Sequence, residues 1–141
     1  MALATGAGTE PLHTILLEDV ANSAITLRTG AQHHIYTILS VSFYFVGAPS
    51  GEAFTLYLTG YDSAAGASGQ TINLMYVRDP AVRTTFMWND KFSFNGYEPN
   101  ANTQAARAAQ AGSVAQSLNV ASTNASFIAD ITCTYIDQNN A

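Results

Sequence analysis

Lysine is almost missing from this chain: Lys91 is the only one, and Arg28, Arg78, Arg83 and Arg107 complete its cations. Charged residues make up 11% of the chain, against roughly 25% in an average soluble domain. With a net charge of −5 and its cations scattered, the chain has no basic stripe to displace phosphate counterions, so no nucleic-acid partner is expected. Cysteine occurs once, at Cys133, which excludes an internal disulfide framework and a multi-cysteine zinc site. The longest apolar run, residues 35–46, is interrupted by Tyr, Thr and Ser and is too short to span a bilayer, so no membrane partner is expected either. The opening MALATGAGTE has neither a basic region nor a long apolar core, and residues 1–10 read as a flexible arm rather than a secretory signal. No helical crossover appears in the first hundred residues, which excludes a parallel βαβ sheet.

Ser, Thr, Asn, Gln, Ala and Gly take the place of charge, and that composition has two readings. Dispersed charge keeps monomers apart, so a charge-poor surface suits a protein that assembles. The ordinary Ser/Thr bias of secreted or phage-type sequences would produce the same composition. The length suits a single domain, 1–141, burying roughly 68–70% of its unfolded-chain surface.

The dominant period is two. AFTLYLTG sets Phe54, Leu56 and Leu58 against Thr55, Tyr57 and Thr59. SFIADITCTYI sets Phe127, Ala129, Ile131, Cys133 and Tyr135 against Ile128, Asp130, Thr132, Thr134 and Ile136. Such alternation in β-branched and aromatic residues marks half-buried strands. Further strands are predicted at 12–18, 23–28, 35–46, 71–77, 82–88, 91–94 and 117–121, with Gly- and Pro-bearing turns at 47–51, 63–69, 78–81 and 95–100. The expected fold is all-β, an antiparallel β-sandwich of about eight strands, a count that favours a jelly roll. An immunoglobulin-like sandwich stays open, although its Cys…Trp…Cys spacing is absent. Residues 100–117, NANTQAARAAQAGSVAQS, break the pattern as an insertion. Ala and Gln favour a helix there, capped by Asn102 or Thr103 and ended at Gly112, but helices below ~12–15 residues are marginal alone. A short helix and an ordered loop are both open, either one stabilised by a neighbouring subunit.

Few residues look like chemistry. His33 and His34 head the most hydrophobic run, yet neighbours on a strand face opposite ways and cannot readily chelate one metal. A metal-binding cupin resembles H-x-H followed by Glu three or four positions on, with a distant third His. Here positions 37 and 38 are Thr and Ile, and His13 is the only other histidine. The pair therefore reads as the polar mouth of a core strand, at a subunit contact. No serine sits in G-x-S-x-G, Cys133 reads as an inert core thiol, and Trp88, two positions after Phe86, reads as core. Asp62, Asp79, Asp90 and Glu98 lie in or near turns, but nothing sets two of them across a cleft. DSAAGASGQ (62–70) has too few carboxylates for a calcium loop, and the sequon Asn124-Ala125-Ser126 is read as fortuitous. No cofactor is called for, and the chain is not expected to be an enzyme.

What remains is surface. Tyr57 and Tyr44 fall opposite the core positions, and Tyr61 and Tyr97 lie near turns; exposed aromatics of this kind anchor protein interfaces or stack on sugars. The segment AGASGQTINLMYVRDPAVRTTFMWNDKFSFNGYEPN (65–100) resembles the middle of the small β-sandwich structural proteins of tailed bacteriophages. Over nearly its full length the chain resembles a head cement, or capsid decoration, protein of jelly-roll type. The resemblance implies a virion component, made in the host cytoplasm and carried on the capsid surface. It would bind the major capsid protein lattice from outside and reinforce it as a homo-oligomer, dimer or trimer. Leu3 and Thr5 in the arm, Arg107 in the insertion, and Tyr57, Tyr61 and Tyr97 are the candidate partner-contact residues. A carbohydrate- or receptor-binding module of a phage tail or fibre is the alternative, and a neck or tail adaptor would look much the same.

Overall fold

A computed structural model of the chain describes residues 10–21, 24–62, 65–99, 103–109 and 113–140. Along them run β1 Leu12–Val20, β2 Ala24–Thr29, β3 His34–Gly47, β4 Ala53–Asp62, β5 Ala67–Arg78, β6 Thr85–Trp88, β7 Phe92–Asn95 and β8 Tyr97–Pro99. Then come α1 Gln104–Ala109, β9 Ser113–Ala115, β10 Ser117–Ser122 and β11 Ile128–Asn139. Sheet one has the order β1-β11-β3, and β6 and β7 lie end to end along the far edge of β3. Sheet two has the order β2-β10-β4-β5, and β8 pairs with β9 as a small ribbon. All pairings are antiparallel.

The alternation that predicted the strands also packs the two sheets together. Ala129, Ile131, Cys133 and Tyr135 of β11 are buried, and so are Phe127 just before it and Phe54 and Leu56 of β4. Phe54 meets Phe43, Phe45 and Phe127 across the interlayer, with ring centroids 5.0, 5.6 and 5.7 Å apart. Burying one such side chain is worth about 1.5–3 kcal/mol, so this aromatic group holds the two layers face to face. The expected all-β antiparallel sandwich is what forms.

Two bulges explain positions where alternation fails. In β3 the inward residues are Tyr36 and Ile38, then Val41, Phe43 and Phe45. Ile38 and Ser40 oppose the consecutive residues Tyr135 and Thr134, so Leu39 is the extra residue and the inward parity changes there. In β2, Thr26 and Arg28 oppose the consecutive residues Asn119 and Leu118. The extra residue, Leu27, is buried, and Arg28 after it is turned toward sheet one.

All nine predicted strands are present, and β8 and β9 add to them. The turn expected at 95–100 contains β8, whose partner lies inside the 100–117 insertion. That insertion also carries a one-and-a-half-turn helix, its last carbonyl, Ala109 O, accepting a hydrogen bond from Gln32 Nε2 at 3.1 Å. The turn expected at 63–69 ends early, because Ala67 already pairs with Asp62 and Gly69 continues the strand at φ +70°. The strand expected from 82 starts at Thr85, since Arg83 takes φ +63° in a turn and donates its N–H to Phe45 O at 2.7 Å.

One end of the sandwich is closed by backbone crossing backbone. Gly96 N donates to His34 O at 2.8 Å, Gln116 N to Gly96 O at 2.9 Å, and Gly30 N to Gln116 O at 2.7 Å. A Cβ on Gly30 would stand 2.0 Å from Gly96 O, and one on Gly96 would stand 2.1 Å from Ala31 O. Glycine is required at both positions by space alone.

Candidate interaction surfaces

The closed end holds the polar cluster nearest to a site in the ordinary sense. Asp137 continues the inward series of β11 one step past Tyr135 and is buried. Its Oδ1 lies 2.5 Å from His34 Nδ1, and its Oδ2 accepts from Arg28 Nη2 at 3.3 Å. The same Nη2 donates to the Tyr36 hydroxyl at 3.0 Å, which also accepts from Ala31 N at 3.1 Å. The Arg28 guanidinium carbon sits 4.8 Å from the Tyr36 ring centre and 5.9 Å from that of Tyr135. Burial pulls the Arg28 pKa down, but the Tyr36 hydrogen bond and the charges of Tyr36, Tyr135 and Asp137 outweigh it and raise it overall. Burial likewise pushes the Tyr135 hydroxyl up, against the pull of Arg28. Arg28 comes from sheet two and its partners from sheet one, so the cluster clamps the layers. Its paired groups hold one another across the layers, while the buried Arg28 Nε has no partner among the described residues.

The two adjacent histidines therefore have different settings. His33 lies in the turn at φ +62°, and only His34 belongs to the strand, so the pair is not a run of two strand residues. His34 stacks on Tyr36 at 6.0 Å, and His13 stacks on Tyr135 at 5.2 Å. Among the described residues, no three His, Cys, Asp or Glu groups converge as metal ligands. Cys133 is fully buried, and burial pushes its thiol from 9.0 to about 11. Trp88 packs against the core and donates Nε1–H to Asp90 O at 2.7 Å.

Of the predicted contact residues, only Tyr57, Tyr61 and Tyr97 have described side chains. Leu3 and Thr5 lie outside the described residues, and Arg107 falls in α1 with its side chain also outside them. Tyr57 is half-buried on the outer face of sheet two, opposite Asn119 on one side and Asn73 on the other. Beside it Asn119 is tied to Thr26, Ser117 and Thr59 by hydrogen bonds of 2.8, 2.9 and 3.3 Å. Tyr97 lies in β8 opposite Ala115. Tyr61 lines a cleft, an open hollow of about 460 Å³ shared with Leu58, Asp62, Gln70, Ile72 and Gln116.

A second surface carries none of the predicted contact residues. The outer face of sheet one consists of side chains in register across its strands. One row runs Leu12, Ile136, Thr37, Ser93; the next Thr14, Thr134, Ser40; the next Leu16, Thr132, Ser42, Met87; and the last Asp130, Tyr44, Thr85. Leu12, Leu16 and Met87 are 64%, 73% and 60% exposed. Across these rows the only charged side chain is Asp130, whose Oδ1 accepts from Asp19 N at 2.8 Å. The signal was available in LHTILLE, where Leu12 and Leu16 share a face opposite Ile15 and Leu17, making an edge strand apolar on both sides.

No family model matches the chain, and neither does any curated protein. A solved structure of Bacillus endospore appendages, described as a novel family of disulfide-linked pili, is 14% identical over 100% of this chain and 97% of its own, with a TM-score of 0.43.

Proposed function

We propose that this protein is a non-catalytic structural component of a virion, a cement protein that lies on the outside of a capsid lattice and ties neighbouring major capsid protein subunits together. The observation that carries this reading is the outer face of sheet one: wide, almost chargeless, and studded with exposed Leu12, Leu16 and Met87. A charge-depleted centre with exposed apolar side chains fits the core of a protein interface. The strand orders β1-β11-β3-β6 and β2-β10-β4-β5, in which successive strands repeatedly change sheet, support the jelly-roll form of the sandwich. Many copies on a symmetric lattice turn modest contacts into high avidity, so no single contact needs to be strong.

The test is co-sedimentation with empty shells assembled from the major capsid protein of the same virus. Saturable binding that raises the shell's melting temperature, and that Leu16→Lys abolishes, is the expected outcome. A protein that stays in the supernatant at every concentration would end the cement reading.

The cleft around Tyr61 favours a second reading, a carbohydrate- or receptor-binding module of a phage tail or fibre. An aromatic ring beside Gln70, Asp62 and Gln116 joins a stacking platform to hydrogen-bonding groups. Sugar-dependent quenching of tyrosine fluorescence, lost in Tyr61→Ala, would select it over the first.

A further inference from the structure

We propose that β5 is a self-association edge: two copies pair β5 to β5, antiparallel about a two-fold axis, fusing two four-stranded sheets into one of eight. This inference does not depend on the capsid reading.

It follows from what β5 leaves unsatisfied. Among the described residues β5 is the outer strand of sheet two, bonded to β4 on one side only. At twelve residues it is about 40 Å long. From Ser68 to Asn73 every residue is exposed, so this part of the strand is covered on neither face. A row of unpaired N–H and C=O groups on such a strand is a template for another strand, and natural edges are protected by charge, proline, shortness or bulging.

The other edges of the two sandwich sheets carry more of those protections. β1 carries Glu18 and Asp19 and breaks register between Leu17 and Val20. β2 is six residues long, bulged, and bears Arg28. The β6–β7 edge is two four-residue pieces separated by Asn89, Asp90 and Lys91. β5 has no proline and no charge before Arg78. Its irregularities, at Leu74 and between Gln70 and Ala67, leave Gln70–Asn73 as a regular, wholly exposed run.

The missing charge also identifies the occupant. The chain carries five cations against ten acids, and an uncharged strand meets a copy of itself without the like-charge repulsion that the net charge of −5 brings elsewhere. A two-fold pairing is self-complementary by construction, and closes after two copies. Ile72, 68% exposed beside the Tyr61 cleft, gives each copy an apolar side chain to set against its mate across the new ladder.

The experiment is sedimentation equilibrium of the full chain from about 1 to about 100 μM, run on the native protein and on Ile72→Lys, Gln70→Lys and Leu16→Lys. Far-UV circular dichroism checks that each variant is folded. The expected result is a species of twice the 15.0 kDa chain mass that Ile72→Lys weakens at least about tenfold, by placing two lysines opposite one another at the two-fold axis, and that Gln70→Lys also weakens, by placing a charge opposite Leu74 at each end of the new ladder, while Leu16→Lys leaves it intact. A native protein that is monomeric throughout would overturn the proposal. So would a dimer indifferent to both β5 substitutions, or one dissociated by Leu16→Lys alone, which would move self-association to sheet one. Shell binding by a strict monomer would sink this inference and leave the cement reading standing; a β5 dimer that ignores shells would do the reverse.

Discussion

Asp137 lies between His34 and Arg28, one carboxylate oxygen 2.5 Å from the imidazole and the other 3.3 Å from the guanidinium. The carboxylate is buried, and Arg28 reaches it from the opposite sheet. Removing it strands a partly buried cation.

Asp137→Ala should therefore cost about 2–3 kcal/mol, the upper part of the range for hydrogen bonds to charged groups, because Arg28 is partly solvated and keeps some compensation. That loss lowers the melting temperature of a domain this size by roughly 6–10 °C. The double variant Arg28→Met with Asp137→Leu should recover most of it, since no unpaired charge is left behind. Thermal unfolding of the three proteins makes the comparison, and equal destabilisation of single and double variants would contradict the clamp.

Half of that pair was visible in the sequence. The alternation Phe127, Ala129, Ile131, Cys133, Tyr135 continues inward to Asp137, so an acid at a core position could be read from the period alone. Its partner could not be, because Arg28 is 109 positions away and is turned inward only by the bulge at Leu27. The bulge at Leu39 likewise hid the two-residue period of 35–46, since the inward parity switches midway. β8 and β9 are three residues each, too short to show any period, and their pairing depends on contact across the insertion. The face of sheet one was missed for a different reason: its residues are scattered over five strands, and only register brings them into rows.

Gly96→Ala is expected to be far more harmful than Gly51→Ala. At Gly96 the added carbon meets Ala31 backbone at 2.1 Å, and backbone cannot move aside as a flexible side chain can. Overpacking of that kind costs about 1–3 kcal/mol or more. At Gly51 there is open space, and the penalty is only that of a left-handed φ of +83°, about 1–2 kcal/mol. Urea midpoints for the two variants separate the cases; the opposite order would mean that the crossing at Gly30 and Gly96 yields.

Stability should fall on the alkaline side. The Cys133 thiol ionises near 9.0 when free and is pushed to about 11 by burial, so between these values the unfolded chain gives up its proton first. The folded state then binds more protons, and unfolding becomes easier as pH rises; the contribution is complete below 9.0 and lost by about 11. Burial of the Tyr135 hydroxyl acts in the same direction. Urea midpoints measured from about pH 7 to about pH 10.5 should decline, and Cys133→Ala should flatten the decline without abolishing it. A slope unchanged by the substitution would remove the thiol from the account.

Leu16→Lys is predicted to leave stability within about 0.5 kcal/mol, because an exposed side chain on an edge strand has little packing to lose. The same substitution should abolish shell binding. A large loss of stability would instead show that the outer row of sheet one contributes to the fold.

The strand order has a consequence for how the molecule is made. β10 and β11 are the last of the described strands, yet each lies inside its sheet, β11 between β1 and β3, and β10 between β2 and β4. Until they leave the ribosome, β1 and β2 have no neighbour to pair with, and the aromatic interlayer lacks Phe127. Pairing of β1 and β2 therefore waits for a closing step that brings the first and last of the described strands together. Such late, long-range closure is slow, and during that wait the chain is most exposed to aggregation.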